Sequence, residues 1–168
     1  SYEGLCEYFG GKYISYTEER PITMNPFRIN REEMNVEKTG FLKNLVLLIW
    51  KGTQGTVTKT EDRLIEHVIT EYYDAYFNGF EGFTPQQRED LRKSLVIDDR
   101  NSSEKRHESE RERAVRIEGI IDEIEGRRKE LKVEELSFNS FYEYSVQRIP
   151  DICEENRITG IDLSTYRY

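Results

Sequence analysis

Cysteine, proline and long apolar runs are all scarce in this chain of 168 residues, which has two Cys, four Pro and a single Trp. Cys6 and Cys153 lie far apart, with no CxxC spacing and no accompanying histidine pair. A zinc site and a disulfide framework are therefore excluded, and the thiols fit a reducing compartment. The longest unbroken apolar run, Leu45-Val46-Leu47-Leu48-Ile49-Trp50, is far too short to span a bilayer and reads as buried helix. Positive charge is also in deficit. Twenty-five Lys and Arg face 33 Asp and Glu, for a net charge of −8. Such a surface repels phosphate backbones, so direct nucleic-acid binding is not expected.

Hydrophobic residues make up 36% of the chain and charged residues 35%. That mixture suits amphipathic helices with solvated outer faces better than a sandwich of sheets. Eleven Tyr and eight Phe supply bulky side chains for a core. A helix is expected over Val36–Lys51, with an apolar face of Phe41, Leu42, Leu45, Val46, Leu48 and Ile49 and a stop at Gly52. Thr58-Lys59-Thr60-Glu61 has capping-box spacing and opens the most regular helix, to about Asn78. Its stripe is Leu64, Ile65, Val68, Ile69, Tyr72, Tyr76 and Phe77. It is expected at the centre, packed against Val36–Lys51 and the Phe141–Val146 helix. Thr84-Pro85 starts a shorter helix towards Leu95.

Asp98-Asp99-Arg100-Asn101-Ser102-Ser103-Glu104 reads as a turn or linker. Lys105 to Arg113 contains no apolar residue, and is either a solvated helix held by charge pairs or a mobile loop. Apolar periodicity returns at Val115, Ile117, Ile120, Ile121 and Ile124. Ser137 or Asn139 caps a helix carrying Phe141, Tyr142, Tyr144 and Val146, and Pro150 is expected to start another. The strand signal is confined to the beginning. Ser1 caps a short helix through Leu5 to Phe9, Gly10-Gly11 stops it, Lys12 to Tyr16 alternates, and Asn25-Pro26 turns the chain. Asp162 opens a further helix at the other end. Six to eight helices and one strand are expected, and both ends read as cuts within a larger enzyme.

No candidate for chemistry survives inspection. Gly10-Gly11-Lys12 lacks the glycine that a phosphate loop needs at position 6, which is Cys6, and the small hydroxyl residue after the lysine, where Tyr13 stands. Ile120-Ile121-Asp122-Glu123 resembles the acidic end of a magnesium-holding strand, but Ile117, Ile120, Ile121 and Ile124 follow helical spacing, and Arg127-Arg128 suits a helix C-terminus. His67 reads as a core-edge histidine with no nucleophile beside it, and His107 as solvated. Glu18-Glu19, Glu32-Glu33, Glu134-Glu135 and Glu154-Glu155 read as solvated faces. Tyr72-Tyr73 and Tyr76-Phe77, with Phe80 and Phe83, read as core, with a partner surface as the alternative. Catalytic, cofactor-binding and metal-binding residues are all expected to be absent.

The segment SYEGLCEYFGGKYISYTEERPITMNPF, with GIDLSTYRY at the end, resembles the TraG-type conjugative-transfer ATPases of conjugative transposons, relatives of the large VirB-type ATPase of type IV secretion. The stretches Phe41–Phe83 and Glu118–Asn156 are also similar to theirs. The resemblance implies a RecA-like core in which a phosphate loop precedes a helix and strand matching Ser1–Tyr16. A helical insertion follows, and then the magnesium-binding acidic strand. The fold class expected is therefore mainly α, a multi-helix insertion with a short helix-strand piece of an α/β core. Residues 1–30 would belong to the core, 31–157 to the insertion, and 158–168 would return towards the core. Both nucleotide motifs would lie outside the chain, leaving it inactive by itself, with ATP and magnesium implied only for the parent. The resemblance implies as partners other subunits of the ATPase and components of the secretion machine, at the cytoplasmic face of the membrane. The alternative is a self-standing helical interaction module.

Overall fold

The computed structural model describes residues 24–101 and 108–166. Among them are five α-helices and no strand: α1 (Val36–Lys51), α2 (Lys59–Phe77), α3 (Pro85–Asn101), α4 (Glu110–Glu130) and α5 (Phe138–Glu155). Single 3-10 turns at Arg31–Glu33 and Leu163–Thr165 flank them. The expected Ser1–Phe9 helix and Lys12–Tyr16 strand lie outside the described residues.

The start signals read at Thr58, Thr84 and Ser137 act as such, and Asn35 adds a cap not singled out in the sequence. The Asn35 side chain accepts from the Lys38 amide, and Gly52 ends α1 with φ +74°. At α2, Thr58 Oγ1 accepts from the Glu61 amide (3.1 Å) while the Glu61 carboxylate accepts from the Thr58 amide (2.9 Å). Two otherwise orphaned donors are thereby satisfied. Thr84 and Gln87 repeat the exchange at the start of α3. Of the two cap candidates for α5, Ser137 is the one used.

Helix α2 is central, with α1 on one side and α5 on the other. Leu64, Ile65, Val68, Ile69 and Tyr72 are completely buried. Burial of each such side chain is worth about 1.5–3 kcal/mol. Phe27 plugs one end of this core. Its ring stacks on Phe141 at 5.2 Å and meets Tyr72 edge-on at 6.3 Å, and its carbonyl accepts from the Tyr73 hydroxyl at 2.7 Å. The α1 face is rotated from the expected one: Leu42, Leu45, Val46, Leu47 and Trp50 are buried, whereas Phe41 and Ile49 reach the surface. The indole of Trp50 binds Thr165 (2.9 Å) and meets the Tyr166 ring, which turns that side inward.

Helices α3 and α4 form a hairpin with a small core of its own, Leu91, Leu95, Ile117 and Ile121. In it one expectation is corrected, and one alternative left open is decided in part. The turn expected from Asp98 is helix as far as Asn101, because Asp99 takes ion pairs from Arg113 (3.0 Å) and Arg116 of α4. The all-polar stretch is helical from Glu110, capped by Ser109, so its C-terminal part follows the charge-paired alternative. Residues 102–107 lie outside the described ones. Pro150 also does not start a helix, and α5 runs through it. Ile149 and Ile152 are buried on either side of it, and packing outweighs the missing backbone bond. Asp162 caps only the turn Leu163–Thr165.

Candidate functional site

The densest group of ionisable side chains lies where α2, α4 and α5 meet. On α2, Glu71 falls in the apolar stripe between Val68 and Tyr72. On α5, Arg148 falls in the stripe formed by Phe141, Tyr144, Ile149 and Ile152. Both positions face the core by helical spacing, and Arg148 is only 1% exposed. Nε and Nη2 of Arg148 each donate to one Glu71 oxygen at 2.7 Å, a bidentate pair. The Tyr144 hydroxyl adds a third donor to Glu71 Oε2 at 2.6 Å. Nη1 of Arg148 lies 2.8 Å from Glu155 Oε2. From α4, the Arg128 guanidinium stands 3.4 Å from Glu71 Oε1 and stacks over Phe80 at 4.1 Å.

Charge matching decides the protonation states. Burial pushes the Glu71 carboxyl up, but the hydrogen bonds and charge of Arg148, with Arg128 and Tyr144, outweigh it and hold Glu71 below the usual glutamate range. Glu155 has only one side of Arg148 to lean on. Burial therefore wins there and raises its carboxyl despite the arginine. Tyr144 is raised by burial and by the Glu71 charge, so it remains a donor. His67 stands at the exposed rim. Burial of its inner edge lowers its pKa; the Glu71 charge opposes this, and Arg148 and Arg128 reinforce it.

An open cleft of about 470 Å³ lies over the cluster, with His67, Phe83, Leu91, Arg128, Glu155 and Arg157 among its walls. The cluster can hold three helices in register, but it has no nucleophile with a base in reach. Among the described residues, no group of three or more His, Cys, Asp or Glu side chains could hold a metal ion. None of the five helices is long and apolar enough to cross a membrane.

The other residues singled out in the sequence are scattered. Asp122 and Glu123 lie on α4, and Asp122 is committed to Arg88 at 2.8 Å, so no strand end is formed there. Cys153 is half-buried on α5. Glu32, Glu33, Glu134 and Glu135 are exposed, as expected for solvated pairs. Glu154-Glu155 departs from that reading, because Glu155 is tucked against Arg148. Tyr72 and Tyr73 are core, Tyr76 is at the surface, and Phe80 and Phe83 clamp Arg128. Gly10-Gly11-Lys12, Cys6, Glu18-Glu19 and His107 lie outside the described residues.

The profile of the TraG P-loop domain matches residues 1–86, just over half of the chain. The chain belongs to the TraG P-loop domain family. It is thus a conjugative-transfer-related protein. No curated protein and no solved structure matches it. The TraG match takes in α1, α2 and the first two residues of α3. Glu71 therefore lies inside the TraG-matched part, and its partners Arg128, Tyr144 and Arg148 lie beyond it.

Proposed function

We propose that residues 31–157 are a helical insertion carried by the RecA-like nucleotide-binding core of a conjugative-transfer ATPase, and that the insertion does no chemistry itself. In this reading the parent binds ATP and magnesium through motifs outside the chain. It works with other ATPase subunits and secretion components at the cytoplasmic face of the membrane.

One observation carries the reading. The chain enters and leaves the helical body on consecutive residues of one helix. On entry, Phe27 stacks on Phe141 at 5.2 Å. On exit, Tyr166 stacks on Tyr142 at 5.9 Å, and its hydroxyl shares a hydrogen bond with Ser145 at 2.7 Å. An element inserted into another domain needs entry and exit this close, because the host must continue across the gap. The Trp50–Thr165 bond ties the exit to α1 as well.

Excision tests the proposal. In the full-length protein, residues 31–157 are replaced by a short Gly-Ser bridge. The expected outcome is a folded core that still binds ATP in calorimetry but no longer supports DNA transfer between cells. Loss of core folding and ATP binding on excision would refute the insertion reading. Undiminished transfer would refute its role in the motor.

A further inference from the structure

The helical body and the α3–α4 hairpin have separate apolar cores. The body's core is built from Phe27, α1, α2, Leu136 and α5, with the Leu131–Val133 connection and the exit segment packed on it. The hairpin's core is Leu91, Leu95, Ile117 and Ile121, with Phe83, Val96 and Ile120 around it. Among the described residues, no apolar side chain belongs to both. The two meet where α3 packs against α5, Ile124 of α4 is completely buried outside both clusters, and ion pairs cross between the units. Arg127 of α4 grips Asp151 of α5 through two bonds of 2.9 and 3.0 Å, and one turn of α4 carries Arg128 to Glu71.

The hairpin is firmly bound within itself. Arg88 of α3 reaches Glu118 (3.0 Å) and Asp122 (2.8 Å) of α4, and Arg92 also pairs with Glu118. Near the far end, Asp99 takes Arg113 and Arg116. The linker before α3 travels with the hairpin, since the Phe83 amide donates to Glu125 at 2.8 Å and Phe80 lies under Arg128. Two backbone positions are left between the units. Gly79 follows α2 with φ +76°, a conformation that leaves glycine free on both sides of φ. Leu131 ends α4 in extended conformation.

We propose that residues 80–130 form a hinged arm that swings as one piece about Gly79 and Leu131 and is latched to the body by Arg127–Asp151 and Arg128–Glu71. Arg127 is half-exposed, so its pair with Asp151 is screened by salt, whereas the buried Arg128–Glu71 pair is screened much less; the latch is sensitive to ionic strength through Arg127. Opening parts α3 from α5 and widens the cleft between His67 and Glu155 on the body and Phe83 and Leu91 on the arm, leaving the two apolar clusters whole. The bidentate Arg148–Glu71 pair stays with the body in both positions.

Electron–electron distance measurements on the full chain decide it, with both cysteines replaced by serine. One spin-label pair, Asn44→Cys with Lys93→Cys, spans body and arm. A second, Lys93→Cys with Glu123→Cys, lies within the arm. At about 0.05 M salt the body–arm distance should be single and narrow. At about 0.5 M salt a second, longer distance should gain at least about threefold in population. The variant Arg127→Gln with Arg128→Gln should show the same second distance already at low salt. The distance within the arm should not change in any of these. A body–arm distance that stays single at high salt overturns the hinge, and so does a parallel broadening within the arm, which would mean melting. The salt series uses no latch variant, so it decides the matter even if that variant folds poorly.

Discussion

Arg148 is the residue on which most depends. A guanidinium at 1% exposure is tolerated only because Glu71 answers it with two oxygens at 2.7 Å. Removing one partner leaves the other as a buried, poorly compensated charge. Arg148→Met should therefore cost about 3–5 kcal/mol in urea unfolding at neutral pH. The pH dependence has a definite sign. The Glu71 carboxyl lies below its ordinary 4.5 in the folded chain. Its contribution is thus complete above that value and is lost as pH falls through the folded pKa. Glu155, raised by burial, runs the other way: its contribution is present below 4.5 and is lost as pH rises through its folded pKa. The gap between wild type and Arg148→Met should narrow as pH falls below 4.5 towards the lowered folded pKa of Glu71, where Glu71 takes up a proton and no longer needs the arginine. A gap that stays constant down to pH 3 (about one and a half units lower) would show that Arg148 acts by packing alone.

At the scale of elements, helix starts were legible because each is written locally. Thr58, Thr84 and Ser137 stand immediately before their helices, and the side chain of each accepts the expected amide. Helix ends and continuations were less legible, because they are settled by residues distant in sequence. Asp99 looks like a turn former until Arg113 and Arg116 arrive from the next helix. The cluster at Glu71 had a signal that could have been read: an acidic residue in the apolar stripe of one helix and a basic one in that of another, each at a position its neighbours bury. Pro150 misled by a strong local rule that tertiary packing overrode. Without an amide hydrogen, it leaves the Val146 carbonyl unpaired within α5, on a residue that is 43% exposed. Water can serve that carbonyl, which softens the penalty. Pro150→Ala should stabilise the chain by about 1–2 kcal/mol and raise its melting midpoint by several degrees. An unchanged or lower midpoint would mean that the proline maintains a bend on which the packing of Ile149 and Ile152 depends.

For the molecule as a whole, the TraG P-loop domain match raises the question of nucleotide binding by this chain. The family is named for a phosphate loop, yet no G-x-x-x-x-G-K-[ST] string occurs anywhere in the 168 residues. The string is needed because successive backbone amides must wrap the phosphates and a small hydroxyl must reach the metal. The one acidic pair that could have answered for magnesium, Asp122-Glu123, projects from α4, with Asp122 engaged by Arg88. Metal held there would have to displace Arg88, whose guanidinium already pairs with Glu118, Asp122 and Glu125. The net charge of −8 adds a general repulsion towards a nucleotide triphosphate. The isolated chain should therefore give no heat of binding with ATP and magnesium in calorimetry and release no phosphate above background. Micromolar binding that disappears in Asp122→Ala would overturn the assignment of this acidic pair to the hairpin's ion ladder, and with it the non-catalytic reading. Binding that survives Asp122→Ala would instead direct attention to residues 1–23, where the only Gly-Gly-Lys of the chain lies.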